Sequence, residues 1–196
     1  MTNESENVIA IFDQLAKGRK YASFFEWLDR EGKELGVGEE LLRTLSPSSD
    51  LRLDTLKNCK PDPPDLVCEN GKGERIAIEV SEVVCQEAVE INQRAQTAEE
   101  GVYRVWGPGD LEAHIRASLA RKDKGKLNGG PYQQIWVCLF TDEMMLTHEK
   151  TSAELSAVEF GPFDQVTDAF LLFSYEPGKK SYPVLRLNLR SGQSRA

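Results

Sequence analysis

The sequence has few histidines and no closely paired cysteines. Two histidines occur, His114 and His148, which argues against a His-rich zinc site or a multi-histidine metal centre. Four cysteines are scattered along the chain without a Cys-x-x-Cys pair: Cys59, Cys68, Cys85 and Cys138. This spacing argues against a zinc ribbon or a disulfide scaffold, and we predict that the cysteines are small buried hydrophobic residues. Carboxylates remain as ligands for a metal ion.

Long apolar runs and nucleotide-binding motifs are also missing. The longest strongly apolar run, at 135–140, is far shorter than the ~20 residues that span a bilayer, and the acidic, polar N-terminal segment lacks the pattern of a signal peptide. No Gly-x-x-x-x-Gly-Lys-Ser/Thr motif occurs, and the glycine pairs 71/73 and 107/109 lack the context of a dinucleotide site. We therefore predict a cytoplasmic protein with no membrane partner that does not belong to those nucleotide-binding classes.

The overall composition is that of a globular domain with an acidic balance. Among 196 residues, 24 are Lys or Arg and 32 are Asp or Glu, which gives a formal net charge of −8. Hydrophobic residues make up 40% and charged residues 29%, enough to bury a core. We predict a single domain over 7–190 with flexible termini at 1–6 and 191–196. The acidity disfavours indiscriminate coating of nucleic acid but permits a localised basic groove.

Hydrophobic periodicity predicts an α/β order of elements. Apolar residues recur at i, i+3, i+4 and i+7 in 21–28, which predicts a helical pattern that Gly36 and Gly38 then interrupt. Asp110 is predicted to cap a helix that runs to about Lys124. Further predicted elements are short helices at 8–15 and 151–158, a helix-favouring segment at 85–100, and strands at 65–69, 75–84, 135–141, 168–175 and 182–189. This order indicates a mixed sheet.

A predicted hairpin brings two carboxylates together. A proline-rich turn leads into the first strand, and 70–73 is a hairpin turn signal. If Glu69 pairs with Arg75, Asp65 lies opposite Glu79 on the same face of the hairpin. Facing carboxylates repel each other, and a hard divalent cation such as Mg²⁺ removes the conflict. The alternative interpretation is an ordinary Pro-Asp turn residue and a salt-bridged glutamate on an edge strand.

With Pro64-Asp65 ahead of Glu79, the hairpin resembles the PD-(D/E)xK nuclease-like superfamily, the fold of many restriction endonucleases and Holliday-junction resolvases. The resemblance is strongest in the hairpin and extends more loosely over about residues 20–190. It implies an α/β, restriction endonuclease-like three-layer fold with a central mixed β-sheet flanked by helices. It also implies that Asp65 and Glu79 bind Mg²⁺ (or Mn²⁺), with the backbone carbonyl of Val80 as a further ligand.

The lysine of the family motif is absent, because Ser81 stands at its position. A lysine from the following helix replaces it in some members of the family, and Lys122 is the candidate here. At about 100° per residue, Lys122 lies roughly 20° from Leu111, within the apolar face of the predicted helix. A lysine on that face either extends past the helix end into solvent or directs its ammonium towards buried carboxylates. The second arrangement would make Asp65, Glu79 and Lys122 a catalytic set.

A basic cluster near the end of the same helix is the candidate nucleic-acid surface, formed by Arg116, Arg121, Lys124 and Lys126. Cationic side chains gain affinity for phosphates by releasing counterions. The alternative interpretation is a solvated helix end.

Two functions are compatible with these residues. The first is a metal-dependent phosphodiester hydrolase, a DNA endonuclease in preference to an RNase, with homodimer formation left open. The second is a catalytically inactive module of the same fold that binds nucleic acid or a protein partner. A lysine ammonium close to both carboxylates would favour the enzyme. Neutralisation of the carboxylates by Arg75 would favour the binding module.

Overall fold

A computed structural model of the chain describes residues 29–84, 106–143 and 146–190. The predicted segments 8–15, 21–28 and 85–100 lie outside these ranges, as do the termini 1–6 and 191–196.

The described residues form three α-helices, a 3₁₀ turn and a six-stranded mixed sheet. The elements are α1 (Arg30–Leu45), the turn Ser46–Ser48, β1 (Leu51–Asn58), β2 (Leu66–Asn70), β3 (Arg75–Glu82), α2 (Asp110–Asp123), β4 (Gln134–Thr141), α3 (His148–Leu155), β5 (Asp168–Phe173) and β6 (Val184–Arg186). The strands are ordered β1-β2-β3-β4-β5-β6. Strands β3, β4 and β5 are parallel and the other neighbours antiparallel. The prediction of an α/β fold with a mixed sheet is therefore confirmed.

Side-chain alternation along the central strands divides the core into two layers. In β4, Trp136, Cys138 and Phe140 pack with residues of α1 on one face of the sheet. Val137 and Leu139 pack on the other face with residues of α2 and α3. Because successive residues of a strand point to opposite faces, odd-numbered residues of β3 share the face that α2 covers. Glu79 and Ser81 are among them.

Helix α1 runs through the glycines that were expected to interrupt it. Asp29 caps its N-terminus by accepting a hydrogen bond from the Gly32 N–H, and both Gly36 and Gly38 are buried inside the helix. A Cβ atom at Gly38 would lie 2.5 Å from Leu66 Cδ1, so the missing side chain allows α1 to approach the sheet closely. Tertiary packing here outweighs the cost of about 1 kcal/mol that a helical glycine carries.

Several predicted boundaries are also corrected. Strand β1 was not predicted. Its register with β2 shifts between Arg52 and Lys57, and its residues do not alternate regularly between exposed and half-buried. Asp110 is the first residue of α2, whereas Gly109, at φ 80°, is the N-cap. Helix α3 begins three residues earlier than predicted, and β5 and β6 are shorter than the predicted strands. Cys68 and Cys138 are buried as predicted, while Cys59 is half-buried.

None of the helices in the described ranges is both long and apolar enough to cross a membrane.

Candidate active site

The hairpin of β2 and β3 has the predicted register. Glu69 pairs with Arg75, and the antiparallel ladder continues to Leu66 opposite Ile78. One further step along this register sets Asp65 opposite Glu79, at the point where β2 begins. Asp65 is 3% exposed and Glu79 is 4% exposed. Two carboxylates therefore lie side by side in an interior where an unpaired charge is costly.

Lys122 supplies the countercharge from the last turn of α2. Its Nζ donates a hydrogen bond to Glu79 Oε2 and lies 3.5 Å from Asp65 Oδ2. The Lys122 side chain is 18% exposed. Of the two arrangements considered for this lysine, the structure has the one in which the ammonium points at the buried carboxylates. Asp65, Glu79 and Lys122 are thereby brought together.

Asp65 is held by two further donors. The backbone N–H of Val80 donates to Asp65 Oδ2 at 2.7 Å, and Arg30 Nη2 donates to Asp65 Oδ1 at 3.0 Å. In an extended strand, the N–H and C=O of one residue point towards the same edge. The Val80 carbonyl therefore faces the edge of β3 on which Asp65 lies, as its predicted role as a ligand requires.

Burial dominates the electrostatics of Glu79. Removal from water raises the pKa of Glu79, and the negative charge of Asp65 acts in the same direction. The hydrogen bond and the positive charge of Lys122 oppose this increase without cancelling it. A buried carboxyl group with a raised pKa is typical of functional sites.

A cavity of about 540 Å³ opens beside these side chains. Four cations line it: Arg30 and Lys33 from α1, and Arg121 and Lys122 from α2. Its acidic residues are Glu34, Asp62, Asp65, Glu79 and Glu82. The carboxylates lie between two helices that each contribute positive charge. This arrangement is suited to an anionic ligand that approaches a cation bound at the carboxylates.

The segment that follows α2 positions the turn that carries Asp65. Asn128 donates from its backbone N–H to the carbonyl of Pro63 at 2.8 Å and from its side chain to the carbonyl of Asp62. Among the described residues, Arg75 forms no ion pair with Asp65 or Glu79. Its guanidinium donates to the Gly129 carbonyl at 2.8 Å and lies over the ring of Tyr132.

Asp123 anchors the end of α2, one residue after Lys122. Its carboxylate accepts hydrogen bonds from the backbone N–H groups of Asp164, Gln165 and Val166 at 3.0, 2.8 and 3.0 Å. Burial by itself would raise the pKa of Asp123, but these three hydrogen bonds outweigh it and lower the pKa. The helix end that presents Lys122 is in this way tied to the segment before β5.

We expect Asp123→Asn to lower the free energy of unfolding by about 1–3 kcal/mol. The asparagine side chain has one acceptor oxygen where the carboxylate has two, and its NH₂ group would face a backbone N–H donor. The pKa of Asp123 is lower in the folded protein than in the unfolded chain. The stabilisation by its charge is therefore present above the unfolded-state pKa of about 3.9 and is lost as the pH falls through the folded-state pKa. Urea unfolding of both proteins at a series of pH values measures this difference. Glu154→Gln, at an exposed carboxylate of α3, is the control. An equal loss of stability at every pH would show that the charge of Asp123 does not cause the stabilisation.

The predicted basic surface is divided between two regions. Arg121 lines the cavity, and its Nη2 lies 3.4 Å from Ser81 Oγ. Arg116 donates to Glu112 and lies over the Phe160 ring. Lys124 and Lys126 are exposed just beyond α2 and are not part of the described cavity lining. The structure thus groups Arg121 with the carboxylates and leaves the other three outside the cavity.

Sequence reasoning missed the contribution of α1. Arg30 and Glu34 form an i, i+4 ion pair at the cavity, and Lys33 donates to Glu82 Oε2 at 2.8 Å. The spacing of these charges and the N-cap at Asp29 were the available signals. Gly36 and Gly38, which follow these charges, instead favour an interruption of the helix.

The donors at the site fit a particular kind of metal ion. The described ranges contain no cluster of three or more His, Cys, Asp or Glu side chains with metal-binding geometry. Two buried carboxylates and a neighbouring carbonyl are too few for a Zn²⁺ or Ca²⁺ site built by protein alone. They suit Mg²⁺ or Mn²⁺, which commonly use one or two carboxylates and complete the coordination sphere with water and phosphate.

Comparison of the chain with protein-family models, with curated proteins and with solved structures returns no match.

Proposed function

We propose that this protein is a metal-dependent phosphodiester hydrolase that acts on DNA. The observation that carries the proposal is the position of Lys122 Nζ, which contacts both Glu79 and Asp65. A lysine in reach of two facing, buried carboxylates is the arrangement that favours the enzyme over the binding module. The restriction endonuclease-like fold is part of the same proposal, supported by the mixed sheet with helices on both faces.

Each residue has a defined task in this reaction. Asp65, Glu79 and the carbonyl of Val80 would hold Mg²⁺ or Mn²⁺, which polarises a phosphate and lowers the pKa of a bound water. Lys122, whose ammonium adjoins both carboxylates, orients the attacking water and stabilises negative charge that develops on the phosphate. The Val80 N–H holds the Asp65 carboxylate in place. Arg121, which lines the cavity, would contact a further phosphate of the DNA.

A cleavage assay with a matched pair of lysine variants tests the proposal. Wild-type protein is incubated with linear, nicked, branched and single-stranded DNA in Mg²⁺, in Mn²⁺ and in EDTA. We expect metal-dependent cleavage that falls about 10²–10³-fold in Lys122→Met. Lys124→Met, which removes an exposed lysine two residues away, should change the rate about threefold at most. Circular dichroism verifies that both variants are folded.

The inactive binding module is the second candidate, and Ser81 at the position of the motif lysine favours it. In a protein of this kind, Lys122 would only neutralise the buried carboxylates. The two functions give different results in the same assay. If the wild type cuts none of the DNA forms in either metal, or if Lys122→Met cuts as fast as the wild type, the proposed catalytic role of the lysine is wrong.

A further inference from the structure

Asp65 and Glu79 already have cationic partners without a metal ion. Asp65 and Glu79 contribute two negative charges, and Lys122 and Arg30 contact them with two positive charges. A divalent cation placed between the carboxylates would bring three cations together at two carboxylates. Because repulsion between like charges is strong in a buried site, a metal would compete with the two side-chain cations for the carboxylate oxygens.

The two cations differ in how easily each could be displaced. Lys122 is 18% exposed, and its ammonium lies among buried groups. The Arg30 side chain is 69% exposed. Arg30 also has two other carboxylate partners, since its Nε donates to Glu34 Oε1 and its Nη2 lies 3.2 Å from Asp62 Oδ2. Arg30 can therefore leave Asp65 without losing all of its ion pairs, and water can reach it.

We propose that Arg30 is the counter-ion of Asp65 in the metal-free protein and that the divalent cation displaces it. This inference rests on the metal site of the proposed function. Arg30 Nη2 lies 3.0 Å from Asp65 Oδ1, so it occupies a carboxylate oxygen that would otherwise be available to a metal. The displaced guanidinium keeps its ion pair with Glu34 at the cavity wall, where its remaining N–H groups can donate to a phosphate oxygen. Arg30 thus links metal binding to binding of the phosphate.

The metal affinity of an Arg30 variant tests this inference without any measurement of cleavage. Mn²⁺ is titrated into the full-length protein and followed by calorimetry and by the loss of the free Mn²⁺ signal in electron paramagnetic resonance. Arg30→Gln should bind Mn²⁺ about five- to tenfold more tightly than the wild type, because the competing hydrogen bond is gone.

Arg43→Gln is the matched control for the change in net charge. Arg43 lies on the same helix, is 58% exposed and pairs with Glu40. It is 13 residues from Arg30, or about 20 Å along the helix axis, beyond the screening length of about 8 Å at physiological salt. Its removal should change the Mn²⁺ affinity by less than about twofold.

The possible outcomes separate this inference from the proposed function. If the wild type binds Mn²⁺ and Arg30→Gln matches Arg43→Gln, the counter-ion role is wrong while the metal site stands. Weaker Mn²⁺ binding by Arg30→Gln would also overturn it, because Arg30 would then be holding Asp65 in its binding position. If neither the wild type nor Arg30→Gln binds Mn²⁺ at millimolar concentration, the metal site and the counter-ion role are both wrong. If Arg30→Gln binds Mn²⁺ and the wild type does not, the counter-ion role of Arg30 is supported.

Discussion

Replacing Lys122 with methionine is expected to lower the free energy of unfolding by about 2–3 kcal/mol at neutral pH in EDTA. Methionine keeps most of the apolar stem but removes the ammonium that neutralises Glu79 and Asp65. Both carboxylates are nearly inaccessible to water, so the protein then has an uncompensated buried charge. Chemical unfolding followed by circular dichroism measures the loss.

The size of this loss should depend on pH in a defined direction. The hydrogen bond and the charge of Lys122 both lower the pKa of Glu79, so the pKa of Glu79 is raised further in the variant. When the pKa of Glu79 is raised in the folded state, folding is favoured below the unfolded-state pKa of about 4.3. This contribution to stability is lost as the pH rises through the folded-state pKa. The gap between wild type and Lys122→Met should therefore widen from acidic to neutral pH.

A double variant supplies the control for this prediction. Glu79→Gln combined with Lys122→Met removes both charges and should recover more than half of the stability that Lys122→Met loses. Asp65 keeps the Val80 N–H and Arg30 as partners in that protein. Additive losses from the two substitutions would show that Lys122 contributes packing rather than charge compensation.

The double variant Asp65→Asn, Glu79→Gln is expected to lower metal-dependent DNA cleavage by at least about 10³-fold, because the carboxylates that would hold the cation are replaced by neutral amides. The substitutions keep the shape of both side chains. The rate is measured in Mn²⁺ at saturating DNA, and the Mn²⁺ affinity is measured in parallel. Cleavage should disappear together with high-affinity binding of the metal.

Glu69→Gln is the matched control for the carboxylate pair. Glu69 lies on β2 of the same hairpin, four residues from Asp65, and is opposite Arg75 in the strand register. Its substitution removes one carboxylate from this hairpin at a position outside the cavity lining that the structure describes. We expect near wild-type cleavage. Equal losses in Glu69→Gln and in the double variant would place the metal elsewhere and refute the assignment of Asp65 and Glu79.

The hairpin and its carboxylate pair could be predicted from sequence because their geometry is local. A five-residue connection limits how Glu69 and Arg75 can pair, and the strict alternation of a strand then assigns each side chain to a face. The position of Lys122 on the apolar face of its helix followed from the helical period in the same way. Strand β4 was also predicted closely, because a continuous apolar run is typical of a buried parallel strand.

Helix α1 and strand β1 were not predicted, because long-range packing decides both. Gly36 and Gly38 reduce helix propensity, and the benefit of Gly38 appears only when the helix lies close to Leu66. Sequence alone therefore determined which residues could form the site: a pair of facing carboxylates and a lysine with two ways to point. The tertiary structure decided that the lysine points inward and that Arg30 reaches Asp65 from 35 positions earlier in the chain. Contacts of this kind depend on how helices dock on the sheet, which local periodicity does not encode.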